Sequence, residues 1–211
     1  MADYHQMWID LGMDVDKHEA LCEVLPEAFG GVYLSQENRP QGMDFYDFVV
    51  SEIHGVRPSE LIKHQETGGK VFGTFCVYVP DEVVFAAGAI ATGLCGGSQF
   101  WVPGGEKVLP ANTCPLIKAS VGARLDKTCP FFMIADMFVG ETTCDGKKKA
   151  WEILAQDVPV HVIDIPQMKR EKDIAAYQQE IMDFIKVVED FTGNKVTPEA
   201  LAESIKLINN K

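Results

Sequence analysis

The residues of this sequence best suited to chemistry are its six cysteines, Cys22, Cys76, Cys95, Cys114, Cys129 and Cys144. As thiolates they are nucleophiles and soft metal ligands. Cys114 follows Cys76 by 38 residues and Cys144 follows Cys114 by 30. That spacing matches neither a compact ferredoxin run nor a paired zinc CxxC. A shared metal centre therefore requires the fold to bring distant loops together. The stretch ETTCDGKKKAWEIL (141–154) raises the question most sharply. A thiol stands in a turn before Asp-Gly, three lysines follow, and then an apolar helical pattern begins. The N-terminus of a helix favours a thiolate. It disfavours cations, so Lys147, Lys148 and Lys149 either offset a negative iron–sulfide–thiolate centre, anchor an anionic partner, or form a solvated face.

Other constellations are missing from the sequence. His5, His18, His54, His64 and His161 form no HxxxH or HExxH pair, and His161 alternates within a strand as a structural residue does. No GxSxG elbow, GxxxxGK[ST] loop or GxGxxG fingerprint occurs.

The elements that must position the thiols follow from periodicity and punctuation. Up to residue 69 the chain reads as helices and loops: a helix over 15–29, then one over 57–69 with Ser59 as N-cap and a Gly pair as its stop. From residue 70 strands and helices alternate. Strands are expected over 70–79, 91–95, 131–140 and 159–166, and helices over 80–90, 114–126, 145–156, 171–191 and 197–210. Residues 96–113 read as a Gly/Pro-punctuated loop, and Thr197 caps the last helix. This order predicts an α/β fold, a three-layer parallel sheet with helices on both faces (flavodoxin-like or Rossmann-like), preceded by a helical N-terminal region. Its divisions are 1–69, helical; 70–168, α/β with the cysteine motifs; and 169–211, C-terminal helices. Ligands of such sheets sit beyond the carboxyl ends of the strands. Cys76, Cys114 and Cys144 fall near strand ends or helix starts on that rim. Cys129 falls at the opposite end of its strand. Cys22 and Cys95 read as core thiols.

The 211 residues, 46% of them hydrophobic, suffice for a packed core. A formal net charge of −12 argues against nucleic acid and against an anionic membrane surface. No apolar stretch is long enough to span a bilayer, and the acidic, polar start is no secretory signal. A cytoplasmic location follows as the expectation, and there the cysteines are thiols or metal ligands rather than disulfides.

Four stretches, GTFCVYVPDEVVFAAGAI, EKVLPANTCPLIKAS, DKTCPFFMIADMFVGETTCDGKKKAWEIL and PVHVIDIPQ, together resemble the 2-hydroxyacyl-CoA dehydratase superfamily. That superfamily includes benzoyl-CoA reductase subunits and the double-cubane-cluster anaerobic reductases. GTFCVYVP and GLCGG look closest to the double-cubane group. The resemblance is dense over about 70–167 and looser on the flanks. It implies an oxygen-sensitive iron–sulfur enzyme carrying a 4Fe-4S or double-cubane 8Fe-9S cluster. Electrons would come from an ATP-dependent iron–sulfur activator, and the protein would form a homo- or heterodimer. It implies Cys76, Cys114 and Cys144 as cluster ligands, with Cys129 matching a further family cysteine. Members are about twice this length, with a second α/β domain to which 169–211 would be the link. The isolated chain would then be inactive or cluster-free.

Three functions remain open on these grounds. The first is a double-cubane reductase of small molecules. The second is a 2-hydroxyacyl-CoA dehydratase subunit removing water from its substrate. The third is a non-catalytic, cluster-free scaffold or binding domain.

Overall fold

A computed structural model describes residues 4–94 and 96–210 of the chain. Among the described residues the N-terminal part holds four α-helices, α1 (His5–Asp10), α2 (Val15–Phe29), α3 (Met43–Glu52) and α4 (Val56–Glu66), with a π-helical turn (Gly30–Leu34) after α2. Strands and helices then alternate: β1 (Val71–Thr74), α5 (Asp81–Ala86), β2 (Ile90–Gly93), α6 (Val102–Glu106), α7 (Pro115–Leu125), α8 (Pro130–Ile134), β3 (Met137–Glu141), α9 (Asp145–Leu154), β4 (Val160–Ile163), α10 (Glu171–Thr192) and α11 (Pro198–Asn209). The sheet is wholly parallel, in the order β2-β1-β3-β4. The fold is α/β, a parallel sheet flanked by helices, as the alternation predicts.

Side-chain period along the strands divides the core into two layers. Val71 and Phe138 join Leu61 of α4, Val121 of α7, Phe132 of α8 and Trp151 of α9 on one face. Phe72 and Val139 join Val84 of α5 and Phe184 and Val188 of α10 on the other. Burial on both faces is what an all-parallel sheet demands, and it explains why these strands are almost continuously apolar. Phe72, Phe132, Phe138 and Phe184 are fully buried, each contributing about 2–3 kcal/mol. No helix among the described residues is long and apolar enough to cross a membrane.

Several element boundaries differ from expectation, each for a local reason. β1 stops at Thr74 because Cys76 takes a left-handed backbone, φ 79°, which a strand cannot continue through. The run 131–140 divides into α8 and β3. Pro130 stands at the first position of α8, where its fixed φ suits a helix and its missing N–H costs nothing. Ser59 does not cap α4; it lies inside the helix and donates to the Val56 carbonyl, while Gly55 takes the cap position. The loop 96–113 contains a 3₁₀ turn (Gln99–Trp101) and α6, whose glycines let it press against α7. A Cβ on Gly105 would lie 2.0 Å from the Lys118 carbonyl oxygen, and one on Gly122 would lie 1.9 Å from that of Trp101. Cys95, expected to end the second strand, lies outside the described residues.

Candidate functional site

The three rim cysteines leave the sheet on its carboxyl side, and all three are exposed. Cys76 comes two residues after β1. The preceding Phe75 anchors it: its N–H donates to the Val139 carbonyl of the adjacent strand at 3.1 Å. The Phe75 ring packs against Trp151 of α9, with centroids 4.7 Å apart. The left-handed φ of Cys76 costs a non-glycine residue about 1–2 kcal/mol. Such strain persists where the surroundings impose it, and it concentrates at functional sites.

Cys114 and Cys144 occupy equivalent places. Each is the N-cap residue of a helix, α7 and α9 respectively, and neither side chain folds back to cap it. Both sulfurs are therefore free to face outward, beside helix starts that carry unpaired backbone N–H groups. The two starts touch. A Cβ on Gly146, two residues past Cys144, would lie 2.7 Å from Ile117 of α7 and 3.7 Å from the methyl of Thr113, the neighbour of Cys114. Since β1 and β3 are paired neighbours, Cys76 and Cys144 also leave adjacent strands in the same direction. Cys114 is linked to this pair through the contact between the starts of α7 and α9, and the sulfurs of Cys76, Cys114 and Cys144 do not form a group within 4.8 Å of one another.

Cys129 is elsewhere. It caps α8, which feeds the amino end of β3, and it packs against the core cluster beneath α7 and α9. Burial pushes its thiol up to about 11. It stands half-buried at the amino end of β3, the opposite end of the strands from the carboxyl edge.

Two lysines hold the loops that carry the rim cysteines, and sequence reading missed both roles. Lys118 is buried in α7, where its ammonium donates to Glu106 at 2.6 Å and to the Ala111 carbonyl at 2.8 Å, pinning the segment before Cys114. Glu141, at the end of β3, has no solvent exposure. Its carboxylate accepts from Lys147, from the Thr143 N–H at 2.9 Å and from the Thr143 hydroxyl at 2.5 Å. The Trp151 indole donates to the Glu141 carbonyl at 2.9 Å. This network shapes the turn before Cys144. The signal available in sequence was an acid closing an apolar run, followed by Thr-Thr. Lys148 and Lys149 have local partners, Asp145 at 3.4 Å and Glu152 at 2.5 Å. The three lysines thus face carboxylates of their own helix and turn.

Beside Cys76 lies an open cleft of about 460 Å³, lined by Thr74, Gly93, Tyr78, Asp81 and Tyr177 among others. Val77, next to Cys76, is 90% exposed, so the rim also presents apolar surface.

The donor set fits a thiolate-ligated cluster. Three exposed thiols are of the kind such a cluster takes, two of them beside helix starts whose amides can donate to sulfide. Cys129 stands apart from these three, packed against the core before α8.

The profile of the 2-hydroxyglutaryl-CoA dehydratase D-component matches residues 76–211, beginning at the first rim cysteine. YjiM of Escherichia coli (strain K12), which its name places among dehydratase subunits, is 40% identical over 148 residues, 70% of this chain and 39% of YjiM. A benzoyl-CoA reductase polypeptide of Thauera aromatica is 28% identical, covering 70% of this chain and 39% of its own. The (R)-phenyllactyl-CoA dehydratase beta subunit of Clostridium sporogenes is 26% identical, covering 70% and 40%. The matched part spans about two fifths of the length of these relatives. With the profile covering more than half of its residues, this chain belongs to the family of the 2-hydroxyglutaryl-CoA dehydratase D-component.

Proposed function

We propose that this chain supplies one wall of an iron–sulfur site in a low-potential reductase or dehydratase, with Cys76, Cys114 and Cys144 as the thiolate ligands. The observation that supports the reading is that three exposed thiols stand just past a strand end or at helix starts, with the helix starts at Cys114 and Cys144 in contact. A bound cluster supplies single electrons at negative potential and an iron open to substrate. The chain's own residues do the rest. Lys118 and the Glu141–Lys147 pair fix the loops, the left-handed Cys76 aims one sulfur, and the amides of Leu116 and Ile117 in α7, after Pro115, which has no N–H, and the first amides of α9 are donors toward sulfide. Exposed Val77 and the cleft beside Cys76 offer apolar surface that a second domain or subunit would cover, shutting out water and oxygen.

Electrons would reach this site from an ATP-dependent iron–sulfur activator, and the double-cubane type of small-molecule reduction is the preferred branch. A second reading, a subunit that removes water from a 2-hydroxyacyl-CoA, is favoured by the names of matched relatives, which include (R)-phenyllactyl-CoA and (R)-2-hydroxyglutaryl-CoA dehydratases. Anaerobic purification followed by iron and labile-sulfide analysis tests the site, and turnover with and without a 2-hydroxyacyl-CoA separates the branches. A colourless protein free of iron and sulfide, before and after anaerobic reconstitution, would instead leave a cluster-free scaffold.

A further inference from the structure

A second group of metal-ligating side chains lies in the N-terminal helical region, away from the three rim cysteines. His18 and Cys22 stand four residues apart on one face of α2, and His54 lies in the turn between α3 and α4. One donor atom from each falls within 4.8 Å of the other two. Among the described residues these are the donors that come together in this way.

The arrangement around them is that of a prepared site. His18 is fully buried, and its Nδ1 donates to the Thr128 carbonyl at 2.7 Å. That bond leaves the lone pair on Nε2, which faces the Cys22 Sγ at 3.5 Å. A ring nitrogen oriented through a backbone carbonyl on its other side is the usual support of a metal-bound histidine. Thr128 is itself held, since its hydroxyl accepts from the Trp101 indole at 2.7 Å. Trp8 packs edge-on to the His18 ring at 4.5 Å, and its indole donates to the His54 carbonyl at 2.9 Å, fixing that turn.

Distance decides little by itself. Typical zinc–nitrogen and zinc–sulfur bonds at a tetrahedral angle place N and S about 3.6 Å apart, and a thiol hydrogen bond to imidazole has a similar length. The separating observation is His54. Its Nδ1 is buried and has no hydrogen-bond partner, and its ring sits 5.0 Å from that of His18. A thiol–imidazole hydrogen bond satisfies Cys22 and His18 and leaves His54 unexplained. A shared ion accounts for all three.

We propose that His18, Cys22 and His54 bind a divalent transition metal of the zinc class, which clamps α2 and the α3–α4 turn to the segment before α8. The set of two imidazoles and one thiolate matches a borderline-soft ion with a fourth position left for water. Binding displaces the Cys22 thiol proton to solvent, involves no change of oxidation state, and is independent of the rim cysteines.

The test uses a Cys76→Ser/Cys114→Ser/Cys144→Ser chain, so that exposed thiols do not compete, titrated anaerobically with cobalt(II). One equivalent binds with a thiolate-to-cobalt charge-transfer band and tetrahedral d–d bands. Cys22→Ser abolishes the charge-transfer band, and His54→Gln weakens binding at least tenfold. In the unmutated chain, zinc in several-fold excess, enough to saturate the exposed thiols as well, slows alkylation of Cys22 at least tenfold and leaves Cys129 unchanged, a readout that needs no variant to fold. Absence of the band, equal binding by Cys22→Ser, or no protection of Cys22 overturns the proposal.

Discussion

Lys147 reaches back from the first turn of α9 to the carboxylate of Glu141, a side chain with no solvent exposure at the end of β3. The pair spans the turn that carries Cys144, so the stability of this turn and the placement of that thiol are coupled.

Lys147→Met leaves the Glu141 charge buried without its cation. Removing one partner of a buried pair destabilises by about 3 kcal/mol. Glu141→Gln costs less, about 1–2 kcal/mol, because Lys147 is 20% exposed and its ammonium can turn to water. Urea midpoints of the two variants measure the difference. Equal, small losses in both would show that the ion pair does not hold the turn.

The glycines at the α6–α7 and α7–α9 contacts differ in what an added methyl meets. At Gly122 it meets a backbone carbonyl 1.9 Å away, which cannot move alone; at Gly146 it meets the mobile end of Ile117 at 2.7 Å. Gly122→Ala is expected to destabilise by about 2–3 kcal/mol and Gly146→Ala by about 1 kcal/mol or less. Thermal unfolding of both variants checks the order, and a reversed order would contradict the packing described.

Cys76 bears a left-handed backbone that glycine adopts freely. Cys76→Gly should raise the stability of the cluster-free chain by up to about 1 kcal/mol, the relief of strain being partly offset by the greater freedom of the unfolded glycine. Cys76→Ala keeps the strain and should give no gain. If alanine stabilises as much as glycine, the strain is not in the backbone.

His161 stacks on Phe184 at 5.4 Å, and its Nε2 is buried without a partner. Burial lowers its pKa, with Glu180 and Asp183 pulling the other way. The unfolded chain takes up this proton near the ordinary value of about 6.5, and the folded chain resists it until lower pH. Stability from this group is therefore complete above that value and is lost as pH falls from it through the lower folded pKa. His161→Phe keeps the stack and should lessen the slope of the stability profile between about pH 7 and pH 5, the remainder coming from His18 and His54, whose pKa values burial also lowers. An unchanged slope would remove His161 as a source of it.

Where local patterns carry the information, the fold was legible in the chain. The helix over 15–29 coincides with α2, and Thr197 caps α11 through the Ala200 N–H as its position implied. The parallel sheet followed from strand–helix alternation. The apolar run 131–140 was not legible, because a run without periodicity does not distinguish a buried strand from a short helix entering one. The buried Glu141–Lys147 pair was hidden for another reason: a basic run reads as a solvated face unless the buried acid that it meets is known. The grouping of His54 with His18 and Cys22 is purely tertiary, and only the four-residue spacing on α2 hinted at it.

The most direct measurement of the central claim is iron and labile sulfide in the anaerobically reconstituted chain, with its Mössbauer spectrum, for Cys76→Ser, Cys114→Ser, Cys144→Ser and Cys129→Ser beside the parent. The account predicts cluster iron and sulfide in the parent and in Cys129→Ser, and its loss or conversion to non-cluster iron in each of the other three. Unchanged cluster content in Cys76→Ser, Cys114→Ser and Cys144→Ser would contradict it.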